Sequence, residues 1–176
     1  HPGEIFYCKV KPEDAKELVE THIIHGRVVE RFLYQDNGQK IRNIEDINFF
    51  HAQRRIVLRN CGVINPEEIG EYIARDGYFA LADIILNKKP AEVIDIISKS
   101  GLRGRGGAGF PTGIKWELTA AQDINPKYVL CNADEGDPGA FMDRSILEGD
   151  PHSVLEAMIV AGYCIGANQG YVYVRA

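Results

Sequence analysis

Apolar and polar positions along the chain change period several times, and each change predicts an element. The run Ile5-Phe-Tyr-Cys-Lys-Val10 is dense in aromatic and branched residues and predicts a strand. Lys11-Pro-Glu-Asp then predicts a helix start, with Pro12 in the first turn where its missing N–H costs nothing. Leu18, Val19, His22 and Ile23 recur at helical spacing as the apolar face of that helix, and Gly26 ends it. With the basic and apolar tail Arg27 to Tyr34, this makes a unit too small to bury a core alone, so it reads as the end of a domain that begins upstream. His22 and His25 lie one turn apart with no third partner, and read as a satisfied surface pair. Polar residues from Gln35 to Asn48, with the turn signal Asp36-Asn-Gly38, predict a linker. Phe49-Phe50 gives that linker an apolar anchor.

Further on, Asn65-Pro-Glu-Glu68 carries the marks of a helix start: an N-cap, a proline at the first helical position, and two acids near the positive end of the dipole. Helical periods follow at Ile69 to Arg75, Ala80 to Leu86 and Pro90 to Lys99, broken by Gly77 and by Asn87-Lys-Lys-Pro90. Thr112 can cap another helix through Lys115 and Trp116. Tyr128-Val-Leu-Cys131 reads as a short apolar strand, with the polar run Asn132-Ala-Asp-Glu-Gly-Asp-Pro-Gly139 just past its carboxyl end. Asp143-Arg144 and Glu148-Gly-Asp-Pro151 read as ordinary helix ends and a turn. An amphipathic helix from His152 to Ile165 leads to a last strand near Gly170. Strand, helix, strand is a βαβ-like progression, so the expected class is α/β. The chain begins at His1 rather than Met, and its last strand stops without a turn or cap. It therefore reads as a piece of a longer polypeptide.

Charge and composition remove several classes. The 176 residues are 45% hydrophobic and 26% charged with a formal net charge of −5, ordinary values for a globular domain and no general attraction for nucleic acid. The best apolar run, Ala157 to Ile165, is too short for a membrane span and is interrupted by Gly162. Cys8, Cys61, Cys131 and Cys164 lie far apart without a C-x-x-C pair, so no cluster or zinc site is assigned to them, and they read as free thiols of a reducing cytoplasm.

The densest chemical signal is Gly101-Leu-Arg-Gly-Arg-Gly-Gly-Ala-Gly-Phe-Pro-Thr-Gly113, six glycines in thirteen positions. Ordering such a loop costs much backbone entropy, and the expectation is that a bound ligand compensates. Its physical use is to let backbone N–H groups converge on an anion, or a flat ligand lie against the chain. Arg103 and Arg105 add positive charge suited to phosphate. Gly104-x-Gly106-x-x-Gly109 satisfies the dinucleotide fingerprint, yet a helical pattern precedes it where that motif requires a strand. A Walker A reading fails, because Lys115 is displaced and the following hydroxyl is missing. A bare surface hinge does not explain Phe110 and two arginines.

The whole run Ser100 to Trp116, followed by Cys131-Asn-Ala-Asp-Glu-Gly-Asp-Pro-Gly-Ala-Phe141, Asp143-Arg144 and Asp150-Pro-His152, closely resembles the FMN flavoprotein subunit that oxidises NADH. That family includes the complex I flavoprotein subunit and the β subunits of NAD-linked [FeFe]-hydrogenases and formate dehydrogenases. The resemblance covers Pro90 to Ala176, and it implies an incomplete Rossmann-like FMN/NAD-binding domain there. Residues 1–34 are similar to the end of a thioredoxin-like domain, and 35–89 make a linker and helical approach. By the same resemblance Gly104, Arg105, Gly106, Gly107, Ala108, Gly109 and Lys115 line the FMN and dinucleotide site. Asn132, Asp134 and Glu135 hold the flavin's ribityl chain or ring edge, Phe110 packs on the NAD adenine, and Asp137 faces the nicotinamide. Asp137 stands where complex I members commonly carry Glu, and Leu118 where they carry Phe. The cofactors implied are FMN and NAD, with [2Fe-2S] and [4Fe-4S] clusters outside this chain. The implied partners are the thioredoxin-like and hydrogenase or other iron–sulfur subunits of a cytoplasmic complex, a possible electron-bifurcating hydrogenase among them. The segment alone is expected to be inactive. A docking scaffold without flavin is the non-enzymatic alternative.

Overall fold

Residues 5–175, described by the computed structural model, divide between Arg55 and Ile56 into two units. In the first, Ile5 and Tyr7 do not join a continuous strand. They make isolated antiparallel bridges to Asn43 and Leu33. The helix after Lys11 changes its winding twice: a 3-10 turn (Pro12–Asp14), a short α-helix α1 (Ala15–Leu18) and a π-helical stretch (Val19–Ile24), with Gly26 at φ +63° just beyond. The wider π turn rotates the side-chain rows, which corrects the expected apolar face. Val19 and Ile23 are exposed, while His22 is buried with the Tyr7 ring set edge-on at 5.4 Å. His22 is therefore a core residue and not half of a surface pair.

The polar run after Tyr34 is likewise not a linker. Strands β1 (Tyr34–Asp36) and β2 (Gln39–Ile41) pair antiparallel around Asn37 and Gly38, whose φ values of +48° and +81° are what a two-residue hairpin turn requires. Phe6 N–H donates to the Arg42 carbonyl at 2.7 Å, which ties the start of the described chain to the hairpin's exit. Phe32, Leu33, Val29 and Ile47 are buried within this unit, and α2 (Asn48–His51) ends it with Phe49 left exposed.

In the second unit Asn65 does not open a helix. Its Oδ1 accepts from Glu67 N–H at 3.2 Å and its carbonyl from Glu68 N–H at 3.1 Å, closing a turn, and α3 (Ile69–Ile73) starts only afterwards. Next come α4 (Phe79–Asn87), α5 (Pro90–Ser100), α6 (Thr112–Ala120), β3 (Tyr128–Ala133), α7 (Met142–Gly149), α8 (Pro151–Ile165) and β4 (Gln169–Val174). β3 and β4 are parallel, in register from Tyr128 opposite Gln169 to Ala133 opposite Val174, so the expected βαβ connection forms. Its core joins Val93 and Ile94 of α5 to Val160, Cys164 and Ile165 of α8, with Ile84, Trp116 and Val129 packed around them. Each such apolar side chain contributes roughly 1.5–3 kcal/mol on full burial. Burial also pushes the Cys164 thiol up to about 11, so it behaves as a small hydrophobe. Gly113 lets α6 approach α5 closely: a Cβ there would stand 2.6 Å from Ser98 Cα.

Candidate functional site

α5 ends at Gly101, whose φ of +71° is the left-handed cap that stops the helix, so the glycine loop follows a helix and not a strand. The base of the loop is closed by the polypeptide itself. Thr112 N–H donates to the Leu102 carbonyl and Gly104 N–H to the Phe110 carbonyl, both at 2.9 Å, with an antiparallel bridge between Arg103 and Pro111. This corrects the expectation that a ligand orders the loop: its stem is held by the polypeptide's own backbone. The tip residues Arg105, Gly106, Gly107 and Ala108 are exposed. Gly107 at φ +106° and Gly109 at φ +61° adopt backbone that other residues avoid. Gly106 shares with them the open space, with no atom within 4 Å of where a Cβ would stand, and differs in that its φ lies outside the left-handed region. Phe110 is 46% exposed at the loop's far side. Lys115 lies in the first turn of α6, exposed like Arg105. Neither side chain has a partner among the described residues.

A second group forms where β3 and β4 end. Asp134, Glu135 and Asp137 line a cavity of about 460 Å³, together with Phe141, Arg144 and Arg175. Parallel strands leave such a crevice beyond their carboxyl ends, because the chain turns away there into helices. Asn132 sits at the start of the turn, its Oδ1 accepting from Asp134 N–H at 3.2 Å. Glu135 is occupied: its two carboxylate oxygens accept from the backbone N–H groups of Asp143 at 2.9 Å and Arg144 at 3.1 Å, which caps α7. Burial opposes ionisation of this carboxyl, but the backbone N–H groups of Arg144, Asp143 and Met142 outweigh it and hold its pKa below the ordinary 4.5. A carboxylate with a depressed folded value stabilises the fold above its unfolded value, and that contribution is lost as pH falls through the folded one. Wild type is therefore expected to lose thermal stability on acidification below pH 4.5 faster than Glu135→Gln, so that the gap between their melting temperatures narrows. A gap independent of pH would contradict the cap. Arg144 pairs with Glu148 at 2.8 Å, and Arg175 donates to the Gly136 carbonyl at 3.0 Å.

A polar network centred on the buried Asn60, Tyr72 and Asp150 lies where the residue string shows only ordinary helix ends. Asp150, fully buried, terminates α7 and caps α8 through Ser153 N–H at 3.3 Å, and accepts from Asn60 Nδ2 at 2.8 Å. Arg75 Nε donates in turn to Asn60 Oδ1 at 3.2 Å. Glu156, one turn into α8, accepts from the Tyr72 hydroxyl at 2.6 Å, Tyr78 N–H at 3.0 Å and Leu81 N–H at 3.1 Å. His152 Nδ1 shares a hydrogen bond with the Tyr78 hydroxyl at 2.8 Å and stacks on Tyr72 at 5.5 Å. Gly77 permits this, since a Cβ there would stand 2.1 Å from the Tyr72 ring. Asp150-Pro151 was the available signal, an N-cap acid before a proline at the first helical position.

The predicted residues thus fall into two groups. Gly104 to Phe110 and Lys115 surround one helix start, and Asp134, Glu135 and Asp137 gather at the strand ends beside Asn132. No hydrogen bond or ion pair joins the groups among the described residues. Among the same residues, no three His, Cys, Asp or Glu side chains come together as a metal site, and no helix is long and apolar enough to cross a membrane.

A parallel βαβ unit with an acid-lined crevice at its strand ends and a glycine loop one helix earlier defines an α/β ligand-binding segment. Residues 97–176 match the model of the Complex1_51K family, the Nuo51 FMN-binding domain. It is 61% identical over 124 residues to the NADP-reducing hydrogenase subunit HndC of Solidesulfovibrio fructosivorans, covering 70% of this chain and 25% of that protein. It is 51% identical over 167 residues to the NAD-reducing hydrogenase HoxS subunit alpha of Cupriavidus necator, covering 90% and 27% respectively. Over 120 residues it is 54% identical to a subunit of the NADH-quinone oxidoreductase of Aquifex aeolicus, covering 68% and 28%. A crystal structure of an air-oxidized NAD+-reducing [NiFe]-hydrogenase superposes with a TM-score of 0.53 at 25% identity, over 96% of this chain and 26% of that one. The chain spans about a quarter of the length of these relatives.

Proposed function

We propose that the chain supplies the glycine-loop part of an FMN-dependent flavoprotein subunit that moves electrons between NAD(H) and iron–sulfur clusters. The observation that carries this reading is that the family match, residues 97–176, contains both residue groups of the candidate site. The local structure fits such a ligand. A flat ring needs a stretch of chain without Cβ atoms, and Gly106 offers one facing open space. A phosphate needs free positive charge and unpaired N–H groups, and Arg105 and Lys115 are exposed without a partner among the described residues. When bound, FMN supplies hydride acceptance and the release of single electrons.

The chain's own residues bind and orient. The loop tip presents backbone N–H groups to a phosphate or lies flat against a ring. Lys115 would hold a positive charge beside a bound flavin, which would favour added negative charge on the ring and raise its potential. Asn132 and Asp134 would hold the flavin's ribityl chain or ring edge and Asp137 would face the nicotinamide, with Phe110 packing on the adenine. Glu135 acts through α7, whose start it holds in place. In the assembled complex Lys115→Ala is expected to lose FMN or shift its reduction potential. Unchanged flavin content together with unchanged NADH–acceptor activity would overturn that role.

Within the family we favour the β subunit of a cytoplasmic NAD-linked [FeFe]-hydrogenase, with residues 1–34 as the end of a thioredoxin-like domain and 90–176 as part of a Rossmann-like one. The 61% identity to the hydrogenase subunit HndC is what supports this reading. Metal analysis of the purified assembly is expected to find iron without nickel. Stoichiometric nickel would assign the chain to a [NiFe] enzyme instead.

A further inference from the structure

The two arginines of the glycine loop are not equivalent. Arg105 is exposed at the tip and touches no partner among the described residues, whereas Arg103 reaches across the loop and donates from Nη1 to the Gly109 carbonyl at 3.0 Å. The same residue sits on the stem, where its backbone bridges Pro111 and its neighbours exchange the bonds Thr112 N–H to Leu102 and Gly104 N–H to Phe110. The tip between these anchors contains Gly107 and Gly109, both at positive φ, and without a restraint glycines sample both signs of φ freely. A carbonyl beside an anion site is also repulsive, and a guanidinium that takes up the Gly109 carbonyl removes that repulsion while fixing its peptide plane.

We infer that Arg103 is a positioning residue that clamps the loop so that the Arg105–Ala108 tip is preordered for the phosphate of a nucleotide cofactor. It does not itself contact that phosphate. This rests on the functional reading above, and FMN and NADH are the two sources of such a phosphate.

The first test needs no cofactor. Amide hydrogen exchange on the full chain is expected to show Gly104 and Thr112 exchanging about tenfold faster in Arg103→Met, a loss comparable to one charge-assisted hydrogen bond. Arg103→Lys is expected to restore most of the protection, and Arg105→Met to leave it intact. The second test titrates the assembled protein with FMN and with NADH over a range of salt. Arg103→Met is expected to weaken one of them about tenfold while the slope of log affinity against log salt keeps its wild-type value, and Arg105→Met to flatten that slope. The cofactor that weakens names the source of the phosphate. Unchanged exchange in Arg103→Met would overturn the clamp. A slope flattened by Arg103→Met as much as by Arg105→Met would overturn it in favour of direct phosphate contact, and a loosened loop with both affinities unchanged would overturn the link to cofactor binding. Wild-type protein that binds neither cofactor would instead refute the functional reading, with the exchange result still reporting on the clamp.

Discussion

Glu156→Ala is expected to destabilise the second unit by roughly 3–6 kcal/mol, a large part of the 5–15 kcal/mol that holds a typical domain together. The carboxylate accepts from three donors at once, the Tyr72 hydroxyl and the N–H groups of Tyr78 and Leu81. The last two belong to the start of α4, whose first N–H groups have no partners within the helix, so Glu156 caps α4 from α8. Tyr72 is 1% exposed, and burial followed by the bond to Glu156 raises its pKa far above the ordinary phenol value. Tyr78 adds backbone strain at φ +63°, which persists only because its N–H and its hydroxyl are both held. Removing the carboxylate strands all three donors, each at a cost of about 1–3 kcal/mol. Glu156→Gln keeps one acceptor oxygen and is expected to lose about half as much. Denaturant unfolding midpoints of the three proteins check this order, and an alanine variant within about 0.5 kcal/mol of wild type would mean that the network is decorative.

The second large effect is expected in binding, not in stability. Gly106→Val should leave the fold within about 0.5 kcal/mol of wild type, since the position is exposed, its backbone is ordinary and no atom lies within 4 Å of the new Cβ. The same substitution should weaken flavin or dinucleotide binding in the assembled protein at least about 100-fold, because a branched side chain fills the space a flat ring or a phosphate must enter. Gly107→Val is the useful contrast. At φ +106° it should damage both the loop and binding, so it separates a strained backbone from a blocked ligand. Full cofactor retention by Gly106→Val, measured by fluorescence titration, would show that nothing approaches the chain there.

These two residues also mark what is legible in the residue string. Gly106 stands out because glycine density is local, and so do the βαβ progression and the stops at Gly26 and Gly101. The acids beyond β3 fall at the strand end for the same reason. Glu156 is silent, since the groups that use it lie 75 to 84 residues earlier in the chain. Arg144 and Arg175 reach the crevice from α7 and from beyond β4, again through tertiary packing. Local signals mislead where two structures share one signature. Asp36-Asn-Gly38 marks a hairpin turn as readily as a linker, and only the pairing of Tyr34–Asp36 with Gln39–Ile41 decides between them. Asn65-Pro66 suits a turn or a helix start, and here Asn65 closes the turn. The π-helical stretch after Leu18 breaks the single winding on which helical periodicity depends. The stem of the glycine loop is invisible in the sequence because backbone hydrogen bonds leave no trace in residue type.

If the exposed loop tip around Gly106 receives a flavin or dinucleotide cofactor, the visible spectrum of the native assembly, recorded without oxygen before and after adding NADH, tests it most directly. A flavin band that bleaches on NADH in wild type, and is missing from the equally well folded Gly106→Val assembly, is the predicted result. A wild-type assembly with no flavin band, or a variant whose band bleaches as wild type does, would contradict it.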